Sequence, residues 1–103
     1  MKELSILNRI LVLSIVPKEG DLLTMKVIRG FREKVSFTEN ELAEFNLKNN
    51  EGMFTWDRSK ERKIEFEITP KETEIIKEGL ETLNKEKKLT EQFLELCDMF
   101  GIV

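Results

Sequence analysis

The stretch "NRILVLSIVPKEG", residues 8–20, decides the fold, because it can be read as an export signal, a membrane segment, a core strand or a buried helix. Its apolar run extends only from Ile10 to Val16, far short of the roughly 20 residues that a membrane-spanning helix needs. Glu3 and Arg9 flank the run and "PKEGD" follows it, whereas a secretory leader has a basic start and small residues at a cleavage site. A cytoplasmic protein with no membrane contact is expected. Leu4, Leu7, Leu11 and Ile15 recur at helical spacing, with Ile6, Ile10 and Leu13 as a second apolar row. Pro17 and Gly20 then supply a stop. The expectation is a helix from Glu3 to Val16, apolar on most of its girth, either central in the fold or shared with a second subunit. A homodimer would then form through this Leu4 to Val16 helix.

The chain has 103 residues, 40% hydrophobic and 36% charged, which fits one folded domain over residues 1–103. It contains no histidine. That removes histidine-based triads, the commonest general base and the usual zinc, copper and haem ligand, so a non-enzymatic protein without metal or cofactor is expected. Cys97, the single cysteine, sits in "FLELCDMF" and reads as a core residue rather than a reactive thiol.

Beyond the first helix, Asp21 can cap a second, in which Leu23, Val27, Phe31 and Val35 follow at intervals of four. "FTENEL" supplies a capping box, Thr38 with Glu41, and a staple, Phe37 with Leu42, for a short third helix. "MFTW" and "IEFEI" alternate as strands, with Phe54, Trp56, Ile64, Phe66 and Ile68 on the buried face and "DRSKERK" as a charged hairpin loop between them. Thr69, Pro70 and Glu72 start a fourth helix, and Thr90 caps the last. The fold class is therefore α+β, mainly helical, in the order α-α-α-β-β-α-α, a winged-helix-like arrangement with a β-hairpin.

Charge is polarised along the chain. Residues 1–63 hold 12 Lys or Arg against 10 Asp or Glu, and residues 64–103 hold 5 against 10. Lys26, Arg29, Arg32 and Lys34 stand on one face of the second helix, and Arg58, Lys60, Arg62 and Lys63 at the expected hairpin tip. If the two groups meet, they make an anion site in which Arg29 and Arg32 grip phosphate and Trp56 stacks on a base. A solvated helix face and a core tryptophan explain the same residues without a ligand. Duplex DNA is bound chiefly by neutralising phosphates, but the third helix carries Glu39, Glu41 and Glu44 and no Lys or Arg. That counts against a DNA-reading role. Carboxylate pairs such as Glu65 with Glu67, or Glu74, Glu78 and Glu81, are expected by chance among 20 acidic residues.

Arg9 before the aliphatic run, the "PKEG" turn, the basic Lys26 to Lys34 helix, "FTENE", Trp56 and the lysine-rich link from Lys85 to Leu89 resemble a group of small proteins of about 100 residues encoded by bacteriophages and prophages. The resemblance implies a setting, the cytoplasm of a bacterial host, rather than a mechanism. The expected role is that of a phage accessory protein acting by contact with a host or phage protein. The alternative is sequestration of a nucleotide or other phosphorylated ligand, and the third reading is a winged-helix-like DNA-binding regulator.

Overall fold

A reciprocal cap sets the start of the first helix. Ser5 Oγ accepts from the Asn8 amide at 3.1 Å, and Asn8 Oδ1 accepts from the Ser5 amide at 3.0 Å, satisfying two donors that a helix start otherwise leaves open. In the computed structural model, which describes residues 2–102, α1 therefore runs Ile6–Ile15. The residues ahead of it form strand β1, Lys2–Leu4, where helix was expected from Glu3.

The next three starts follow the sequence signals. Asp21 accepts from the Thr24 amide at 2.7 Å and opens α2, Leu22–Val35. Thr38 and Glu41 exchange bonds at the head of α3, Glu39–Phe45, and Thr69 and Glu72 do so at α4, Pro70–Lys85. Thr90 makes no such bond: a 3-10 turn, Glu91–Phe93, intervenes before α5, Leu94–Phe100. Gly101, at φ +72°, ends α5 in the left-handed region that glycine enters without strain. The architecture is α+β and mainly helical, as expected, with five α-helices and two small antiparallel sheets among the described residues.

The strands pair differently from the expected wing. β2, Lys48–Asn50, and β3, Met53–Thr55, form their own hairpin across Glu51 and Gly52, whose φ values of 53° and 86° suit a tight two-residue turn. β4, Ile64–Phe66, pairs instead with β1, in the register Lys2↔Phe66, Glu3↔Glu65, Leu4↔Ile64. "MFTW" and "IEFEI" are thus in separate sheets. The "DRSKERK" segment is a connection, fixed by Asp57, which accepts from the Ser59 amide and hydroxyl at 3.0 and 2.6 Å around the 3-10 turn Arg58–Lys60. Alternation marks a strand and its faces but names no partner. Of the expected buried face, Trp56, Ile64, Phe66 and Ile68 are half-buried and Phe54 is exposed.

α1, α2, α4 and α5 enclose the core, with Leu11, Val12, Ile28, Phe31, Ile76, Leu80, Leu96 and Phe100 among its members. Fully burying each such side chain is worth about 1.5–3 kcal/mol. Gly79 lets α4 approach α1: a Cβ there would lie 3.0 Å from the Ile15 carbonyl oxygen. Cys97 is buried, and burial, then the Asp98 carboxylate, raises its thiol pKa, in keeping with a core role. Leu23 departs from expectation: it is 69% exposed. α2 meets Ile75 and Ile76 of α4 through Val27, Ile28 and Phe31, so its first turn carries Leu22 and Leu23 beyond that contact.

One cation is built into this framework. Arg9 is 2% exposed, and its guanidinium donates to Val35 O at 3.0 Å, Ser36 O at 3.0 Å and both Glu41 oxygens at 2.7 and 3.0 Å. The Phe37 and Phe66 rings lie 4.0 and 5.0 Å from it, a favourable setting for a cation. Because Val35 O and Ser36 O stand at the negative end of α2 and Glu41 belongs to the α3 cap, Arg9 ties three helices together. The Arg9 hydrogen bonds hold the Glu41 pKa down to about 2, against the opposing effect of burial and with help from the Thr38 amide.

Candidate functional site

The residues of the expected anion site divide into two groups with different surroundings. In the 56–63 segment, two of the four cations pair with carboxylates from other parts of the chain. Trp56 Nε1 donates to Glu61 at 2.9 Å, and the Arg58 guanidinium stands 5.1 Å from the centre of the Trp56 ring. Arg62 pairs with Glu44 and lies over Phe45, while Lys63 pairs with Glu95 at 3.1 Å. Lys60 is exposed. No hydrogen bond or ion pair among the described residues joins this segment to α2, and Trp56 lines neither of the depressions that Arg29 borders.

On α2 the picture is different. Lys34 is engaged inward, donating to Glu67 O at 2.6 Å and Glu72 at 2.7 Å. Lys26, Arg29 and Arg32 take part in none of the ion pairs of the described residues. They border two adjoining depressions, one lined by Leu22, Met25, Lys26 and Arg29, the other by Met25, Ile28, Arg29 and Arg32 with Glu33 and Ser36. Leu22 is 73% exposed. Positions 22, 26 and 29 share a helical face, so an unburied leucine and two unpaired cations stand side by side.

The spacing limits what this surface can do. Three cations at intervals of three residues rise about 4.5 Å per step along one convex helix, a row rather than a ring of donors converging on one phosphate. A row matches successive carboxylates on another polypeptide, and the exposed apolar surface of Leu22, with Met25 beside it, suits an apolar side chain between them. Among the described residues no group of three or more Cys, Asp or Glu is placed to hold a metal ion, and no helix is long and apolar enough to cross a membrane. Sequence reasoning singled out the three cations but assigned Leu23 to the core and did not notice Leu22. Two leucines directly after a helix cap were the available signal.

The fold is thus α+β and mainly helical. The chain matches no protein-family model, and neither the curated proteins nor the solved structures contain a match to it.

Proposed function

We propose that this is a binding protein, not a catalyst, and that it acts by contact with another polypeptide through the outer face of α2. The observation that carries the reading is the juxtaposition of Leu22 with the unpaired Lys26 and Arg29. Such a surface favours a partner segment whose apolar side chains are flanked by Asp or Glu: the charges steer encounter and orientation, and the apolar contact holds it. The resemblance to phage-encoded proteins supports a host protein as that partner and the host cytoplasm as its setting. A nucleotide gains less from this surface, because its cations form a row on one helix rather than converging on one phosphate, and DNA gains less because α3, the next helix, is acidic.

The test is quantitative capture from bacterial lysate with the wild type, Lys26→Glu/Arg29→Glu, Leu22→Ser/Leu23→Ser, and Glu78→Lys/Glu81→Lys as a charge-reversed control on α4. The expected result is a polypeptide retained by the wild type and the α4 control and lost from both α2 variants. A captured set that is identical for all four proteins contradicts the reading.

A further inference from the structure

We infer that the α2 surface also accepts a second copy of this chain, in a paired contact that sets α2 of each copy against the α1–α4 groove of the other. The proposal rests on the reading of α2 as a binding surface and names one occupant for it.

The receiving side is a groove of about 450 Å³ between the C-terminal end of α1 and the second half of α4. Ile15, Pro17, Leu83 and Phe93 give it apolar walls, and Glu78 stands on its rim. Glu74, Glu78 and Glu81 are all exposed along α4, at helical spacing. Glu74 faces Lys71 at 3.8 Å, whereas Glu78 and Glu81 have no ion-pair partner among the described residues.

The inserting side is the first turn of α2. Leu22 and Leu23 are 73% and 69% exposed, the largest exposures of any helical leucine described, with Lys26 and Arg29 following. One feature is an apolar knob beside cations; the other is an apolar groove beside carboxylates. Their charges are opposite, and both lie on the same chain. Pro17, in the wall of the groove, is five positions before Leu22, so the two features are separated by at most about 17 Å of chain.

A surface that carries knob and groove together is self-complementary, and a two-fold arrangement uses both features twice and closes without growing into a chain. Standard contacts hide roughly 800 Å² per partner, about a ninth of the 7098 Å² surface. A two-fold arrangement buries the area of a knob-in-groove contact twice over. Unlike charges at the rims make the association salt-sensitive.

The test is sedimentation velocity on the full chain, from low micromolar to near-millimolar concentration, at low and high salt. The wild type is expected to reach twice the monomer mass at low salt. Lys26→Glu/Arg29→Glu alone, and Glu78→Lys/Glu81→Lys alone, are each expected to remain monomeric through like-charge repulsion. An equimolar mixture of the two is expected to recover the dimer, because acidic α2 then meets basic α4 and basic α2 meets acidic α4. Circular dichroism of each variant confirms that it is folded before mixing. A wild type that stays monomeric at every concentration, or a mixture that fails to associate while each variant is folded, overturns the inference. The outcome is separable from that of the proposed function: capture of another polypeptide is lost with the α2 reversal alone and is not restored by mixing.

Discussion

Arg9 and Arg29 are the same side chain in opposite circumstances. Arg9 enters an otherwise uncharged helix and is surrounded by two backbone carbonyls, a carboxylate and two aromatic rings, leaving it 2% exposed. Arg29 stands on an amphipathic helix, exposed, in none of the ion pairs of the described residues, with an exposed leucine on the same face. A cation taken out of water needs every one of its partners. A cation left in water contributes little to the fold and is free to meet something else. The difference separates a residue that builds this protein from one that the fold leaves at its surface.

The sharpest contrast is between Arg9→Met and Arg29→Met. Without its guanidinium, Glu41 and the carbonyls at the end of α2 lose their donors, and removing one member of a buried ion pair costs about 3–5 kcal/mol. Urea denaturation should show Arg9→Met strongly destabilised or unfolded, with Arg29→Met within about 0.5 kcal/mol of the wild type. Equal losses would erase the distinction.

Acid should break the Arg9 joint before it affects the outer face of α2. The folded-state pKa of Glu41 is lowered from 4.5 to about 2, so its stabilisation is complete above pH 4.5 and is lost as pH falls towards 2. A shift of that size corresponds to roughly 3 kcal/mol. Glu41→Gln should forgo most of it at neutral pH and flatten the pH dependence of the denaturation midpoint between these values. A wild type and variant with parallel acid profiles would assign the acid response elsewhere.

Smaller effects test the outward side. Lys26→Glu/Arg29→Glu should change the unfolding free energy by no more than about 0.5 kcal/mol, since neither cation takes part in an ion pair of the described residues. A loss above 1 kcal/mol on the same scale would mean that these cations belong to the fold. Opposite in sign is Glu65→Lys. Glu3 and Glu65 face each other across the β1–β4 pair, and replacing a like-charge pair by an opposite one should gain about 0.2–1 kcal/mol, read as a raised urea midpoint.

Much of the helical frame was legible because its signals are local. Asp21, the Thr38 and Glu41 box, and the Thr69, Pro70 and Glu72 start all operate within one turn, and the structure uses each of them. The Ser5 and Asn8 box escaped notice because asparagine replaces the usual Glu or Gln, and with it went β1. Strand partners depend on contacts between distant segments, so β4 was recognised as a strand while its pairing with residues 2–4 was not. Arg9 illustrates the same limit. A lone charge in an apolar helix signals a buried pair, but its partner is 32 positions away in a motif whose evident task is to cap α3. The candidate site was half legible: Lys26, Arg29 and Arg32 were visible as a basic face, whereas the pairing of Arg62 with Glu44 and of Lys63 with Glu95 and the inward turn of Lys34 depended on tertiary placement.

The most direct test of the account is the comparative capture experiment at low and high salt, with the fold of each variant verified beforehand. The account predicts a polypeptide bound at low salt by the wild type and by Glu78→Lys/Glu81→Lys, but absent from folded Lys26→Glu/Arg29→Glu and Leu22→Ser/Leu23→Ser. Retention of the same polypeptide by both folded α2 variants would contradict it and return the outer face of α2 to the role of a solvated helix surface.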